Sequence, residues 1–109
     1  MAQIGKASVR VFPRSYKKGD EVTVKTRVFH PQVNGRVKNQ EGLYPEPFFI
    51  NEIKVFYGDE MIMEVKASAG LSVNPFFNFT MKATRSAPLK MVWKDNQGKE
   101  YSEQDEIKV

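Results

Sequence analysis

The sequence predicts an all-β fold, an antiparallel β-sandwich of about seven short strands, and three observations carry that expectation. Apolar and polar residues alternate at a period of two in segment after segment. Turn signals recur about every eight to twelve residues, and no stretch shows helical periodicity. A chain of 109 residues predicts a single domain over 1–109, able to bury roughly 65% of its unfolded surface.

The elements follow in order. Ala7-Ser8-Val9-Arg10-Val11-Phe12 reads as a first strand, ended by Pro13, and Lys17-Lys18-Gly19-Asp20 as a turn in which glycine takes a positive φ. In Glu21 to Val28, Val22, Val24 and Val28 alternate with Thr23, Lys25 and Arg27, the mark of a half-buried strand. The pattern then dissolves from His30-Pro31 through Asn34-Gly35, Glu41-Gly42 and Tyr44-Pro45-Glu46-Pro47, and irregular stretches of this length usually have a function.

Order returns in Phe48 to Tyr57, with Ile53, Val55 and Tyr57 on one face and Glu52, Lys54 and Phe56 on the other. Gly58-Asp59-Glu60 connects it tightly to Met61–Lys66, so the two read as a hairpin. Residues 67–74 are loop-like, and Pro75 introduces Phe76–Lys82, with Phe77, Phe79 and Met81 on one face. Leu89–Lys94 is a further strand closed by Asp95-Asn96-Gln97-Gly98, and the last lies within Lys99–Val109. Such an order suits two sheets of immunoglobulin-like topology. With no cysteine pair to bridge the sheets, Trp93 and the phenylalanines are expected to fill the core.

Composition narrows the chemistry. Zero cysteine excludes disulfides, thiolate ligands and a thiol nucleophile on this chain. The longest run without a charged residue, 67–81, is too short to span a bilayer and is broken by Gly70, Asn74 and Pro75. The first residues lack the apolar core of a secretory signal, which leaves a cytoplasmic chain, a trimmed one, or one exported with another protein. The net charge of +4 is uneven, with +7 on residues 1–38 and −3 on residues 39–109. A basic first third could steer the domain to an acidic protein or nucleic acid, although Lys25 and Arg27 also suit a solvated outer face.

No catalytic constellation is visible, and no cofactor is expected. A metal centre needs several converging ligands, so His30 would require carboxylates such as Glu41 or Glu46 to fold back onto it; a turn or interface role is simpler. Ser8 and Ser68 lack the context of a nucleophile elbow, and there is no glycine-rich phosphate loop. The remaining signal is apolar. Phe56, Ile62 and Phe76 fall opposite the core-facing set, and gathered beside Met61 and Met63 they would mark a protein interface.

The order of motifs resembles a known family. A Lys-Lys-Gly-Asp turn, His30-Pro31, a polar glycine-containing loop, Pro47-Phe48-Phe49-Ile50, Asn74-Pro75-Phe76-Phe77-Asn78-Phe79 and Val92-Trp93-Lys94-Asp95-Asn96-Gln97-Gly98 together resemble SoxZ, the smaller subunit of the SoxYZ sulfur-carrier complex of bacterial thiosulfate oxidation. The likeness covers nearly the whole chain; Gln32-Val33-Asn34-Gly35 departs from the Met-Glu-Thr-Gly expected after His-Pro. It implies a non-catalytic subunit paired with a SoxY-type partner, whose C-terminal glycine-flanked cysteine carries the sulfur. It also implies a periplasmic location reached by export with a signal-bearing partner, transient contact with the other Sox enzymes, and no binding of nucleic acid or membrane. Expected interface residues are Phe56, Met61, Met63, Asn74, Pro75 and Phe76, with His30, Pro31 and the loop through Pro47 in second place.

Overall fold

The computed structural model describes residues 4–33, 35–66 and 75–109. Seven strands form two antiparallel sheets, with no helix among the described residues. They are β1 (Ala7–Phe12), β2 (Glu21–Val28), β3 (Ile50–Tyr57), β4 (Glu60–Lys66), β5 (Phe76–Lys82), β6 (Ala87–Asp95) and β7 (Glu100–Ile107). One sheet has the order β1-β2-β5, the other β4-β3-β6-β7.

Period-two alternation decides which side of each strand is buried. Val9 and Val11 of β1 and Val22, Val24 and Val28 of β2 meet Ile53, Val55 and Tyr57 of β3 and Leu89, Met91 and Trp93 of β6 in one core. Trp93 is its largest fully buried side chain, and burying an indole contributes on the order of 3 kcal/mol or more. The phenylalanines do less than expected: Phe77 and Phe79 pack only partly buried against a core dominated by valine.

Several boundaries moved for identifiable reasons. Gly58 takes φ +62, the positive value needed at the first central position of the β3–β4 turn. Phe48 is not part of β3; it pairs with Val33 in an isolated bridge whose two N–H···O bonds are each 2.7 Å. Strand β6 starts two residues earlier than the pattern indicated, at Ala87, with Pro88 opposite only Glu106 of β7. Proline is tolerated there because the neighbouring turn uses only its carbonyl, which accepts the Gly58 N–H at 2.9 Å, a role that needs no N–H on residue 88.

A register shift at Val55/Phe56 places Met61 opposite Phe56 while Met63 opposes Val55, leaving Ile62 as the extra residue of a β-bulge. Beyond the ladders, β1 runs beside β7. There the Asp105 Oδ2 accepts the Val11 N–H at 3.0 Å and an ion pair from Arg14 at 3.3 Å.

Candidate functional site

The motifs that were scattered along the sequence converge at one end of the sandwich. His30 follows β2, Asp95 ends β6 and Tyr101 lies near the start of β7, and all three are buried. Asp95 is the organising group. Its Oδ1 accepts the backbone N–H groups of Gln97 and Lys99, each at 3.0 Å, and its Oδ2 accepts the Tyr101 hydroxyl at 2.7 Å. The neighbouring Asn96 reaches across the gap, accepting the Phe49 N–H at 2.8 Å and donating to the Pro47 carbonyl at 2.9 Å. The Asp95-Asn96-Gln97-Gly98 turn therefore closes β6 onto β7 and clamps the far end of the long loop.

His30 completes the seal. The Gln32 N–H donates to its Nδ1 at 3.3 Å, which assigns the ring proton to Nε2, and Nε2 faces Asp95 Oδ2 at 3.6 Å. The ring packs on Phe48 at 4.2 Å and meets Tyr101 edge-on at 6.0 Å. Burial pushes its pKa below the usual histidine value, outweighing the hydrogen bond and charge of Asp95 and the hydrogen bond of the Gln32 side chain, which favour protonation. For Asp95 burial also works against the charge. Here, however, the hydrogen bonds from Tyr101, Lys99, Gln97 and His30 prevail, and the carboxyl lies below its ordinary range. Burial, then the hydrogen bond to and charge of Asp95, push the Tyr101 phenol strongly upward. The cluster holds a neutral imidazole, an ionised carboxylate and a neutral phenol, all buried.

This arrangement is structural in its chemistry. A metal role for His30 would have required carboxylates such as Glu41 or Glu46 to fold back onto it; the carboxylate beside it is Asp95, already engaged by backbone and phenol donors. Among the described residues, no group of three or more His, Cys, Asp or Glu could hold a metal ion. Instead the cluster anchors both feet of the irregular loop. Gln32 sits at φ 53, a left-handed conformation costing a non-glycine residue roughly 1 kcal/mol, and its Oε1 accepts the Ile50 N–H at 2.8 Å. At the loop tip Asn39 Oδ1 accepts the N–H groups of Glu41 and Leu43. That tip exposes Val37, Leu43 and Tyr44, at 70%, 60% and 63%, which single out an apolar surface the sequence reading did not name.

The expected interface residues do not lie together. Phe56, Met61 and Ile62 gather on the outer face of the β4-β3-β6-β7 sheet, brought to one side by the bulge. Met63 points inward and packs against the core, so it is a packing residue rather than a surface one. His30 is 1% exposed, so a partner would meet the loop it anchors and not the imidazole. Phe76 is 67% exposed but belongs to the other sheet, opposite Arg27, near the end where His30 lies. The length of β3, roughly 20 Å at the usual strand rise, separates the His30 end from Phe56. Pro31 is half-buried at the loop's start, Pro75 is buried just before β5, and Asn74 lies outside the described residues.

Comparison with known proteins fits this architecture. Among solved structures, the sulfur carrier protein SoxY from Chlorobium limicola f. thiosulfatophilum superposes with a TM-score of 0.63 at 17% identity, covering 94% of this chain and 74% of that one. A superoxide reductase (neelaredoxin) from Ignicoccus hospitalis superposes at 0.68 and 19% identity, covering 97% and 81%. At such identities these likenesses show a shared fold. No match was found among curated proteins. The family model described as "Sulphur oxidation protein SoxZ" matches residues 9–106, spanning every motif from β1 to the Asp95 turn and most of β7. The chain therefore belongs to the SoxZ family.

Proposed function

We propose that this chain is the non-catalytic subunit of a heterodimeric sulfur-compound carrier complex. It binds and supports a SoxY-type subunit whose C-terminal cysteine carries thiosulfate-derived intermediates between Sox enzymes. The observation that carries the reading is a SoxZ-family match over residues 9–106 in a chain with no cysteine. Such a chain cannot hold a sulfane or sulfonate adduct on a thiol, nor draw one from its partner by thiol exchange. A further support is that, among the described residues, those with shifted pKa values are locked together in a buried cluster. The work left to the chain is shape and contact. In this reading it makes no bond, and it reaches the periplasm with a signal-bearing partner.

The seat of the carrier subunit is the outer patch of Phe56, Met61 and Ile62, an aromatic, methionine and β-branched group bordered by charged residues, as interface centres commonly are. A stable pair would bury on the order of 1,600 Å² in total, so the patch is a centre and not the whole contact. Co-expression with a SoxY-type subunit, followed by size exclusion at micromolar concentration, tests the reading; separate elution would reject it. Within a pair that does co-elute, Met61→Asp should weaken association at least tenfold, about 1.4 kcal/mol. The same substitution should change the chain's own stability by no more than about 0.5 kcal/mol, as expected at an exposed position. Unchanged association would move the seat elsewhere, to the loop tip first.

A further inference from the structure

The β1-β2-β5 sheet turns outward a face that sets cations beside aromatic rings. Its rows are Ser8–Arg27–Phe76, Arg10–Lys25–Asn78 and Phe12–Thr23–Thr80, read from the ladder partners. Three cations and two exposed phenylalanines, Phe12 and Phe76, share these rows, and the one acid that the three strands carry, Glu21, stands opposite Lys82 in the row beyond Thr23–Thr80. None of the ion pairs within 4.0 Å among the described residues includes Arg10, Lys25 or Arg27. Arg10 and Lys25 stand directly opposite each other, a like-charge cross-strand pair that costs the sheet a few tenths of a kcal/mol.

Arg27 lies beside two aromatic rings. Its guanidinium lies 4.6 Å from the Phe29 ring and 4.7 Å from the Phe76 ring, and its Nε is buried without a hydrogen-bond acceptor. Lys25 and Arg14 similarly approach the Phe12 ring, at 5.3 and 5.7 Å. A shallow groove bounded by Ser8, Arg10, Phe12, Arg27, Phe76 and Asn78 runs between these groups.

We propose that this face is a docking surface for an acidic protein segment, anchored by carboxylates on Arg27 and on the Arg10–Lys25 pair, and separate from the Phe56 patch. A carboxylate on the pair relieves the local repulsion. A fork already packed beside two rings also loses little freedom when it pairs, so an acidic side chain gains affinity there at low entropic cost. Arginine and aromatic residues are the types enriched at protein interfaces. A nucleic acid suits the face less well. The Arg27 guanidinium already lies 4.6 Å from the Phe29 ring and 4.7 Å from the Phe76 ring, which occupies part of the platform that bases use, and the cations cluster across strands instead of tracking a backbone.

Titration of the isotope-labelled full chain with a capped hexaglutamate peptide, followed by amide chemical shifts, tests the proposal. The expected result is saturable shifts at Arg10, Lys25, Arg27, Phe76 and Asn78 that weaken with added salt. Arg10→Glu should weaken the peptide at least fivefold; it converts the like-charge pair into an opposite-charge one, so the fold is retained. Arg27→Gln should do the same, and Lys18→Glu, with the same charge change in the exposed turn, should have less than a twofold effect. No binding, or shifts outside this face, would overturn the proposal. So would tighter binding of a hexathymidylate at the same residues, which would assign the face to nucleic acid. A concentration-dependent dimer abolished by Arg10→Glu would assign it to a second copy and equally overturn it. Loss of pairing with the SoxY-type subunit in Arg10→Glu would merge this face with the carrier seat, whereas retained pairing with lost peptide binding keeps the two functions distinct.

Discussion

The buried end around Asp95 and the outer face of β1-β2-β5 both concentrate charge, and they treat it in opposite ways. At the buried end the carboxylate is surrounded by donors, from Gln97, Lys99 and Tyr101, and the imidazole beside it is kept neutral. On the outer face Arg10, Lys25 and Arg27 stand together with no ion pair within 4.0 Å among the described residues, the sheet's one acid, Glu21, lying opposite Lys82. The difference follows from solvent. An uncompensated charge in the interior costs several kcal/mol, while on a wet surface it costs a few tenths. Compensation is thus compulsory at one site and optional at the other, and an optional imbalance is available for recognition.

The strongest way to break the contrast is to remove the buried carboxylate. Asp95→Ala leaves two backbone donors and a phenol without their acceptor, and urea unfolding should show a loss of about 3 kcal/mol. Gly5→Ala comes next. A Cβ at Gly5 would lie 2.2 Å from Cδ1 of Tyr101, and φ there is +89, so the substitution should cost about 2 kcal/mol, detaching the segment before β1 from the cluster. Tyr101→Phe keeps the ring and loses one hydrogen bond to a charged group, for a cost of about 1.5 kcal/mol.

Acid titration sharpens the same comparison. His30 and Asp95 both have folded pKa values below their usual ones, so the folded chain binds these protons less readily than the unfolded chain. Stability should be complete above about pH 6.5 and decline below it as the unfolded histidine protonates, then decline again below about pH 4 as Asp95 is protonated. His30→Gln should flatten the upper step and leave the lower one; an unaltered profile in that variant would show that the imidazole is not the group responsible. The smallest expected effect has the opposite sign. Arg10→Thr on the outer face should stabilise the fold by about 0.3 kcal/mol at low salt, an increment that fades as salt rises.

How much of this was legible in the sequence depends on the range of the interaction. β2, β3 and β5 alternate cleanly, and their inward residues Val22, Val24, Ile53, Val55, Phe77 and Phe79 could be read directly. Strand β7 could be placed only within a span, because just Tyr101 and Ile107 of its residues are buried and the rest face solvent or the β1 seam. Pro88 concealed the start of β6, since proline within a run usually argues against a central strand. The bulge at Ile62 was invisible, and with it the fact that Phe56 and Met61 share a side.

The site was harder still. His30 and Asp95 stand at opposite ends of long stretches of chain, and nothing local marks Asp95 as an inward-facing carboxylate and not an ordinary turn residue. A usable clue was present in the Asp-Asn-x-Gly turn followed by Tyr101, because such a turn offers several backbone donors to its own carboxylate. The exposed Val37, Leu43 and Tyr44 were missed because apolar residues inside an irregular loop have no period from which to infer a face.

The Asp105 contact gives the molecule a further property. The two sheets are separate hydrogen-bonded ladders, and where β1 runs beside β7 a single carboxylate, not a shared ladder, receives the Val11 N–H. The sandwich is in this respect two leaves bound along a spine by side chains. Protection of backbone amides against exchange with deuterated solvent should then be inherited leaf by leaf, and the Val11 amide should report the spine itself. A protein clamped to the outside of one leaf would slow the breathing of that leaf and leave the other at its own rhythm. Two partners on opposite leaves could thus be held without either sensing the other's arrival.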